Sequence, residues 1–282
     1  MHGEIDRREF IAMTALGATG LMLSAVAGNA QERDAADYVF AAIADPHLRE
    51  DREDEPTGVE KFRALLTRLR EEAPEAEFAL LLGDIHPEKL EPLLPEIGMP
   101  LHVVHGNHER DSHREMLREM FPGDFEGRDY YSFERGDDLF VALCTATPGD
   151  HVGHLQSQYI TPPTGQLAWL EEVLGRRDEW RHVFVYGHVP PEEQCRASKM
   201  CIAQNDARWL FSLVEETKPT ALFFGHRHKQ VDFSIDGTPV YGVRSVNWNS
   251  RGEPRGGMVV TVREGGIDTR FVPTEPEAPG TN

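Results

Sequence analysis

Five apolar runs of strand length each end on a short polar motif, and this recurrence constrains the fold more than any other feature of the chain. Tyr38 to Ala44 runs into Asp45-Pro46-His47, Phe78 to Leu82 into Gly83-Asp84, and Leu101 to Val104 into Gly106-Asn107-His108-Glu109. His182 to Tyr186 runs into Gly187-His188, and Ala221 to Phe224 into Gly225-His226-Arg227-His228. A buried strand that stops on His, Asp or Asn delivers a polar side chain to the rim of a sheet, where α/β sheets gather ligands. Gly83, Gly106, Gly187 and Gly225, which precede the polar residue in four of the five motifs, suit sharp turns.

Helical spacing fills the gaps between these runs. Val59, Phe62, Leu65, Leu66 and Leu69 recur at three- and four-residue intervals within Val59 to Glu72, the period of an amphipathic helix. Glu109 to Met120, Gln166 to Leu174 and Asn205 to Glu216 read the same way, with Trp209, Leu210, Leu213 and Val214 as helix core. Tyr130 to Glu134 alternates like an edge strand, Leu139 to Cys144 reads as a buried one, and Gly136-Asp137-Asp138 is the turn between them. Val231 to Ile235, Val240 to Val243, Met258 to Val262 and Ile267 to Val272 alternate around glycine turns and read as one antiparallel meander. The tail from Thr274, rich in Pro, Glu and Gly, has the composition of a disordered segment. Strands that alternate with helices, with antiparallel strands late in the chain, suggest two packed sheets with helices outside.

With 282 residues, 39% of them hydrophobic, the chain can bury one substantial core. Its net charge of -19 repels polyanions and argues against a nucleic-acid scaffold. No uninterrupted apolar segment reaches the roughly 20 residues that span a bilayer, so the mature chain is expected to be soluble.

The motifs carry a consistent chemistry. Hydrolysing a phosphoester at neutral pH requires a nucleophile stronger than water and neutralisation of charge on the phosphoryl oxygens. A pair of divalent ions roughly 3.5–4 Å apart meets both needs. Such a pair needs a bridging carboxylate, several neutral imidazoles and few other anions. Asp84 can bridge, Asp45 can bind one ion, and His47, Asn107, His188, His226 and His228 are neutral donors. Two aspartates against two dications leave roughly +2 at the site, a local attraction for phosphate inside an acidic chain.

At this point the chain resembles the calcineurin-like metallophosphoesterases, through the ordered set D-x-H, GD, GNH[DE], GH and GHxH between Tyr38 and His228. The resemblance implies a four-layer α/β/β/α sandwich of two mixed sheets flanked by helices, over residues 36–273. It also implies that Asp45, His47 and His228 bind one metal, that Asn107, His188 and His226 bind the other, and that Asp84 bridges both. A metal-bridging hydroxide is then expected to attack a small phosphomonoester or phosphodiester, with His108 assisting the leaving group and Glu109 orienting His108 or a neighbour. Manganese, iron or zinc fits such a donor set. Many relatives carry Asp, Asn or Tyr three to four residues after the GD aspartate, where this chain has Pro87 and Glu88. The tyrosinate-to-iron bond of purple acid phosphatases is therefore not expected. The alternatives within the family are a cyclic-nucleotide or nucleotide-pyrophosphate phosphodiesterase and a non-catalytic scaffold. Gly149 to Thr164 and Pro190 to Ile202 are the expected specificity elements.

The remaining signals are weaker. Arg7-Arg8 ahead of an apolar run from Ala12 to Ala27, followed by small residues, resembles a twin-arginine export signal over residues 1–30. It implies a periplasmic or extracellular protein that meets the membrane only during export. No Cys follows that run, so a lipid anchor is not supported. Cys144 reads as core, while Cys195 and Cys201 suit either a short disulfide or two free thiols. His86, His102, His105, His151, His154 and His182 show no ligand spacing. Arg227 lies between two presumed ligands and is a candidate phosphate contact.

Overall fold

The strands fall into two mixed sheets, and the ends of both converge on one edge. The computed structural model describes residues 38–48, 56–192 and 200–275. The expected export signal, the tail beyond Glu275 and Cys195 lie outside these residues. The strands are β1 (Tyr38–Ile43), β2 (Ala76–Leu82), β3 (Leu101–Val104), β4 (Tyr131–Arg135), β5 (Asp138–Ala142), β6 (His182–Tyr186), β7 (Ala221–Phe224), β8 (Val231–Ile235), β9 (Thr238–Gly242), β10 (Gly256–Arg263) and β11 (Gly266–Pro273). One sheet has the order β11-β10-β1-β2-β3 and the other β4-β5-β6-β7-β9-β8. The motif-bearing strands run parallel within each sheet, β1 with β2 and β2 with β3, then β5 with β6 and β6 with β7. Parallel neighbours place their C-terminal ends together, which is why motifs far apart in sequence share one rim.

Side-chain alternation then sorts the layers. Phe40 of β1 meets Phe140, Phe184 and Phe223 of the second sheet at ring-centre distances of 5.3, 5.7 and 5.8 Å, and stacks on Phe78 at 5.4 Å. This aromatic cluster joins the two sheets. The intervening residues Leu139, Val141, Val183, Val185 and Leu222 face the other way and pack with Leu170, Leu174, Leu210 and Val214 of the helices Gln166–Gly175 and Gln204–Thr217. Phe62, Leu65, Leu66 and Leu69 are the buried stripe of the helix Gly58–Glu72. That helix starts on a reciprocal cap, in which Glu60 N–H donates to Thr57 Oγ1 at 3.2 Å and Thr57 N–H to Glu60 Oε2 at 2.8 Å. The result is the expected α/β arrangement of two mixed sheets flanked by helices. Among the described residues, no helix is long and apolar enough to cross a membrane.

Two expectations change. The last four strands do not form one meander. β8 and β9 close the second sheet, whereas β10 pairs antiparallel with β1 in the first, Phe40 opposite Val260. Alternation records that a strand has one buried face but not which sheet it joins. The connection between β9 and β10 has to cross from one sheet to the other, and it passes the Asp45 motif, where Ser245 Oγ donates to Asp45 O at 2.8 Å and Val246 N–H to Ala44 O at 3.0 Å. Secondly, the helix expected from Glu109 begins only at Asp111, leaving Glu109 outside it and fully buried.

Candidate active site

The chain reaches the rim in an unusual backbone conformation. Asp45, His47, Asp84, His86, His226 and His228 all hold positive φ, between 41° and 67°. Residues with a Cβ visit this region at a cost of order 1–3 kcal/mol, and they persist there when surrounding contacts hold them. The neighbouring glycines leave room for the carboxylates. A Cβ on Gly106 would lie 2.1 Å from Asp84 Oδ1, and one on Gly225 would lie 2.6 Å from Asp45 Oδ2.

Asp84 lies at the centre. Its Oδ2 is 3.4 Å from His188 Nε2, 3.5 Å from His47 Nε2 and 3.9 Å from His108 Nε2, while its Oδ1 accepts from His108 N–H at 3.0 Å. On one side, Asp45, His47, Asp84 and His228 each offer a ligand atom, all within 4.8 Å of one another. On the other side, Asp84, His188 and His226 do the same, and Asn107 Oδ1 lies 3.1 Å from His188 Nε2. All seven residues expected from the motifs to bind metal thus come together, with Asp84 common to both groups. His108 lies beside them and is the accessible member, its side chain 39% exposed against 2% for Asp84.

Main-chain carbonyls fix the ring tautomers. His188 Nδ1–H donates to Leu82 O at 2.6 Å, His226 Nε2–H to His151 O at 3.0 Å, and His228 Nδ1–H to Trp248 O at 2.9 Å. Each ring therefore turns its other nitrogen inward with a lone pair to offer. The inward nitrogens of His47 and His228 face one another at 3.1 Å, and those of His188 and His226 at 3.2 Å. Such facing lone pairs repel unless a proton or a cation lies between them.

Charge reinforces the point. Burial works to raise the Asp84 carboxyl, but the charges of His188, His47 and His108 outweigh it and hold it well below the usual carboxylate range. Burial works against the charged form of His188, yet the Asp84 and Asp45 carboxylates push it up to about 9. His226 goes the other way, to about 3, through burial and the nearby charge of His188. Asp45 Oδ1 is buried and accepts no hydrogen bond. A buried acceptor without a donor, beside converging imidazole nitrogens, fits a cation, and the donor set has room for two.

Behind the donors stands a second set of contacts. Of the two expectations for Glu109, the contacts fit the neighbour and not the His108 ring, since the carboxylate is turned inward. Its Oε2 accepts from the N–H groups of Asp84 at 2.9 Å and Gly106 at 2.7 Å, and its Oε1 from Ile85 at 2.8 Å and His86 at 3.3 Å. One carboxylate therefore ties the Asp84 loop to the Asn107 loop. Lys61 Nζ donates to Asn247 Oδ1 at 2.8 Å and Asn247 Nδ2 to His47 O at 2.9 Å, which links the first long helix to the edge that carries the candidate ligands. Arg227 pairs with Glu192 and is not aimed among the candidate ligands. His151 touches the site through its carbonyl. Cys144 is a buried free thiol, and Cys201 is disulfide-bonded. The motifs gave no hint of His86 and His113. Both lie beside the cluster, His86 with its ring 6.3 Å from that of His47 and 6.4 Å from that of His108.

Comparison with known proteins agrees with this fold. The structure is similar to a dimetal phosphatase from Danio rerio, at 16% identity over 84% of this chain and 99% of that one, with a TM-score of 0.62. It is similar to the purple acid phosphatase PPD1 of yellow lupin, Lupinus luteus, at 12% identity and a TM-score of 0.63, where the match covers 85% of this chain and 52% of the plant enzyme. It is also similar to GAP50, described as the anchor in the inner membrane complex of Plasmodium, at 14% identity over 85% of each chain and a TM-score of 0.62. At these identities the likenesses establish the fold. No curated protein matches the chain. Residues 38–230, which hold every candidate ligand, match the calcineurin-like phosphoesterases. The chain therefore belongs to the calcineurin-like phosphoesterase family and is a phosphoester hydrolase.

Proposed function

We propose that this chain is an exported, two-metal phosphohydrolase that cleaves a small phosphomonoester or phosphodiester. Asp45, His47 and His228 hold one divalent ion, Asn107, His188 and His226 hold the other, and Asp84 is shared. The observation that carries this reading is the convergence of three imidazole nitrogens within 3.9 Å of Asp84 Oδ2. When bound, the two ions, manganese, iron or zinc, supply a nucleophile at neutral pH and neutralise charge on the phosphoryl oxygens.

The chain's own groups do the rest. His188, His226 and His228 keep their outward N–H groups on carbonyls, so their inward nitrogens are the ones left to bind a cation. His108 stands at the accessible edge and gives a proton to the leaving oxygen from Nε2. Glu109 holds the two loops that carry Asp84 and Asn107. Trp248, partly exposed with its ring 4.0 Å from that of His228, favours a substrate with a flat organic group, and with it the nucleotide phosphodiesterase reading. The catalytic domain is residues 36–273, and the twin-arginine pattern of residues 1–30 directs it to the periplasm or beyond.

The test compares hydrolysis of an aryl phosphomonoester and a bis-aryl phosphodiester by the manganese-loaded chain, with and without chelator. Chelator-sensitive turnover of either ester supports the reading. Turnover of neither, with two equivalents of metal bound, contradicts it and favours the scaffold alternative.

A further inference from the structure

Beside the dinuclear cluster lies a second group of ligating side chains that the proposed reaction does not use. His86, Glu88 and His113 each offer a ligand atom, all within 4.8 Å of one another. His86 is only 8% exposed, and neither of its ring nitrogens has a hydrogen-bond partner. An imidazole with two unsatisfied buried nitrogens is uncommon, because each orphaned polar group costs about 1–3 kcal/mol. Glu88 Oε2 and His113 Nδ1 are likewise buried atoms without a hydrogen bond, and Glu88 Oε2 lies 3.6 Å from His113 Nε2. His86 also holds a strained backbone, with φ 62° and ψ 81°. Two unpartnered nitrogens on one buried ring call for a ligand there.

His86 belongs to two groupings, one with His47 and His108 and the other with Glu88 and His113. The first contains no carboxylate. The second pairs two imidazoles with one carboxylate, the donor set of many zinc sites with an open position. It also differs from the first in being free of the residues assigned to the reaction.

We propose that His86, Glu88 and His113 form a third, mononuclear site for a zinc-class divalent cation, next to the dinuclear centre. With two neutral imidazoles and one carboxylate, the site retains about +1 when filled, so it adds positive charge on the His108 side of the centre. The inference rests on the two-metal reading only for the number of ions to which it adds one.

The test is metal stoichiometry of the full chain, equilibrated with zinc, freed of excess and measured by elemental analysis. Three equivalents are expected for the wild type, and two for both His113→Ala and Glu88→Gln, with circular dichroism unchanged. Cobalt substitution adds a spectroscopic readout, since one set of visible ligand-field bands should be missing in both variants. A wild-type count that neither His113→Ala nor Glu88→Gln lowers would overturn the proposal. Asp84→Asn separates this result from the dinuclear reading. If that reading alone is wrong, Asp84→Asn leaves the count unchanged while His113→Ala still lowers it by one.

Discussion

His188 Nε2 and His226 Nδ1 face one another across 3.2 Å, and the opposite nitrogen of each ring is fixed on a main-chain carbonyl, Leu82 O and His151 O. Neither ring can move that proton to its inward nitrogen without abandoning a main-chain carbonyl. A cation between them removes the repulsion, so metal binding and folding should be linked. Chelated protein is expected to melt earlier than protein with manganese or zinc at about 100 times its dissociation constant. The difference corresponds to about 2.7 kcal/mol, or roughly 5–11 °C for a domain of this size. A melting temperature indifferent to chelator would contradict the linkage.

The exposed His108 contributes no side chain to either of the two ligand groups that share Asp84. His108→Ala is therefore expected to keep its metal while losing turnover on the order of 10²–10⁴-fold, the usual contribution of a general acid. Elemental analysis and steady-state kinetics on the same preparation check both halves. Loss of metal in the variant would mean that His108 acts as a ligand.

Glu109 collects four main-chain N–H groups, from Asp84, Ile85, His86 and Gly106. In Glu109→Gln an amide NH2 replaces one acceptor and points donor against donor. Urea unfolding is expected to show a loss of about 3 kcal/mol or more, given about 1–3 kcal/mol for each stranded buried group. Metal affinity should fall with it, because the Asp84 loop is no longer held. A variant with wild-type stability would show that these amides find other partners.

A pH effect is expected away from the metals. Asp129 is buried, which works to raise its pKa, but His105 at 3.0 Å, the charge of Arg114 and the Thr161 N–H hold it at about 2. A carboxyl with a depressed folded pKa stabilises the protein above its unfolded value, about 3.9, and that contribution disappears as pH falls toward the folded value. The gap in unfolding free energy between wild type and Asp129→Asn, measured in chelator, should therefore shrink by about 2 kcal/mol between pH 5 and pH 2. A gap independent of pH would show that Asp129 stabilises through its hydrogen bonds alone.

Much of this molecule was legible before its structure. The helix at Gly58–Glu72 follows from the spacing of Phe62, Leu65, Leu66 and Leu69, and the five polar strand ends announce the metal-facing rim. Local pattern could not assign β10 to β1, because Val260 alternates the same way whichever sheet receives it. Nor could it reveal Glu109 as a main-chain anchor, since a buried carboxylate collecting amides and an exposed one orienting a ring look alike in sequence. His113 joins His86 only because the helix Asp111–Met120 turns it toward the segment after Asp84. Short helical turns between Pro87 and Ile97 and the strand Leu101–Val104 separate the two residues, and no motif spacing relates them.

The central claim is that Asp84 is shared by two metals that drive hydrolysis. The direct measurement is turnover of an aryl phosphate ester by wild type and Asp84→Asn, each stripped with chelator and then titrated with manganese. The account predicts that stripped wild type is inactive, that manganese restores it, and that Asp84→Asn stays inactive and holds less metal. Turnover that survives chelation, or an Asp84→Asn enzyme as active as wild type, would contradict it.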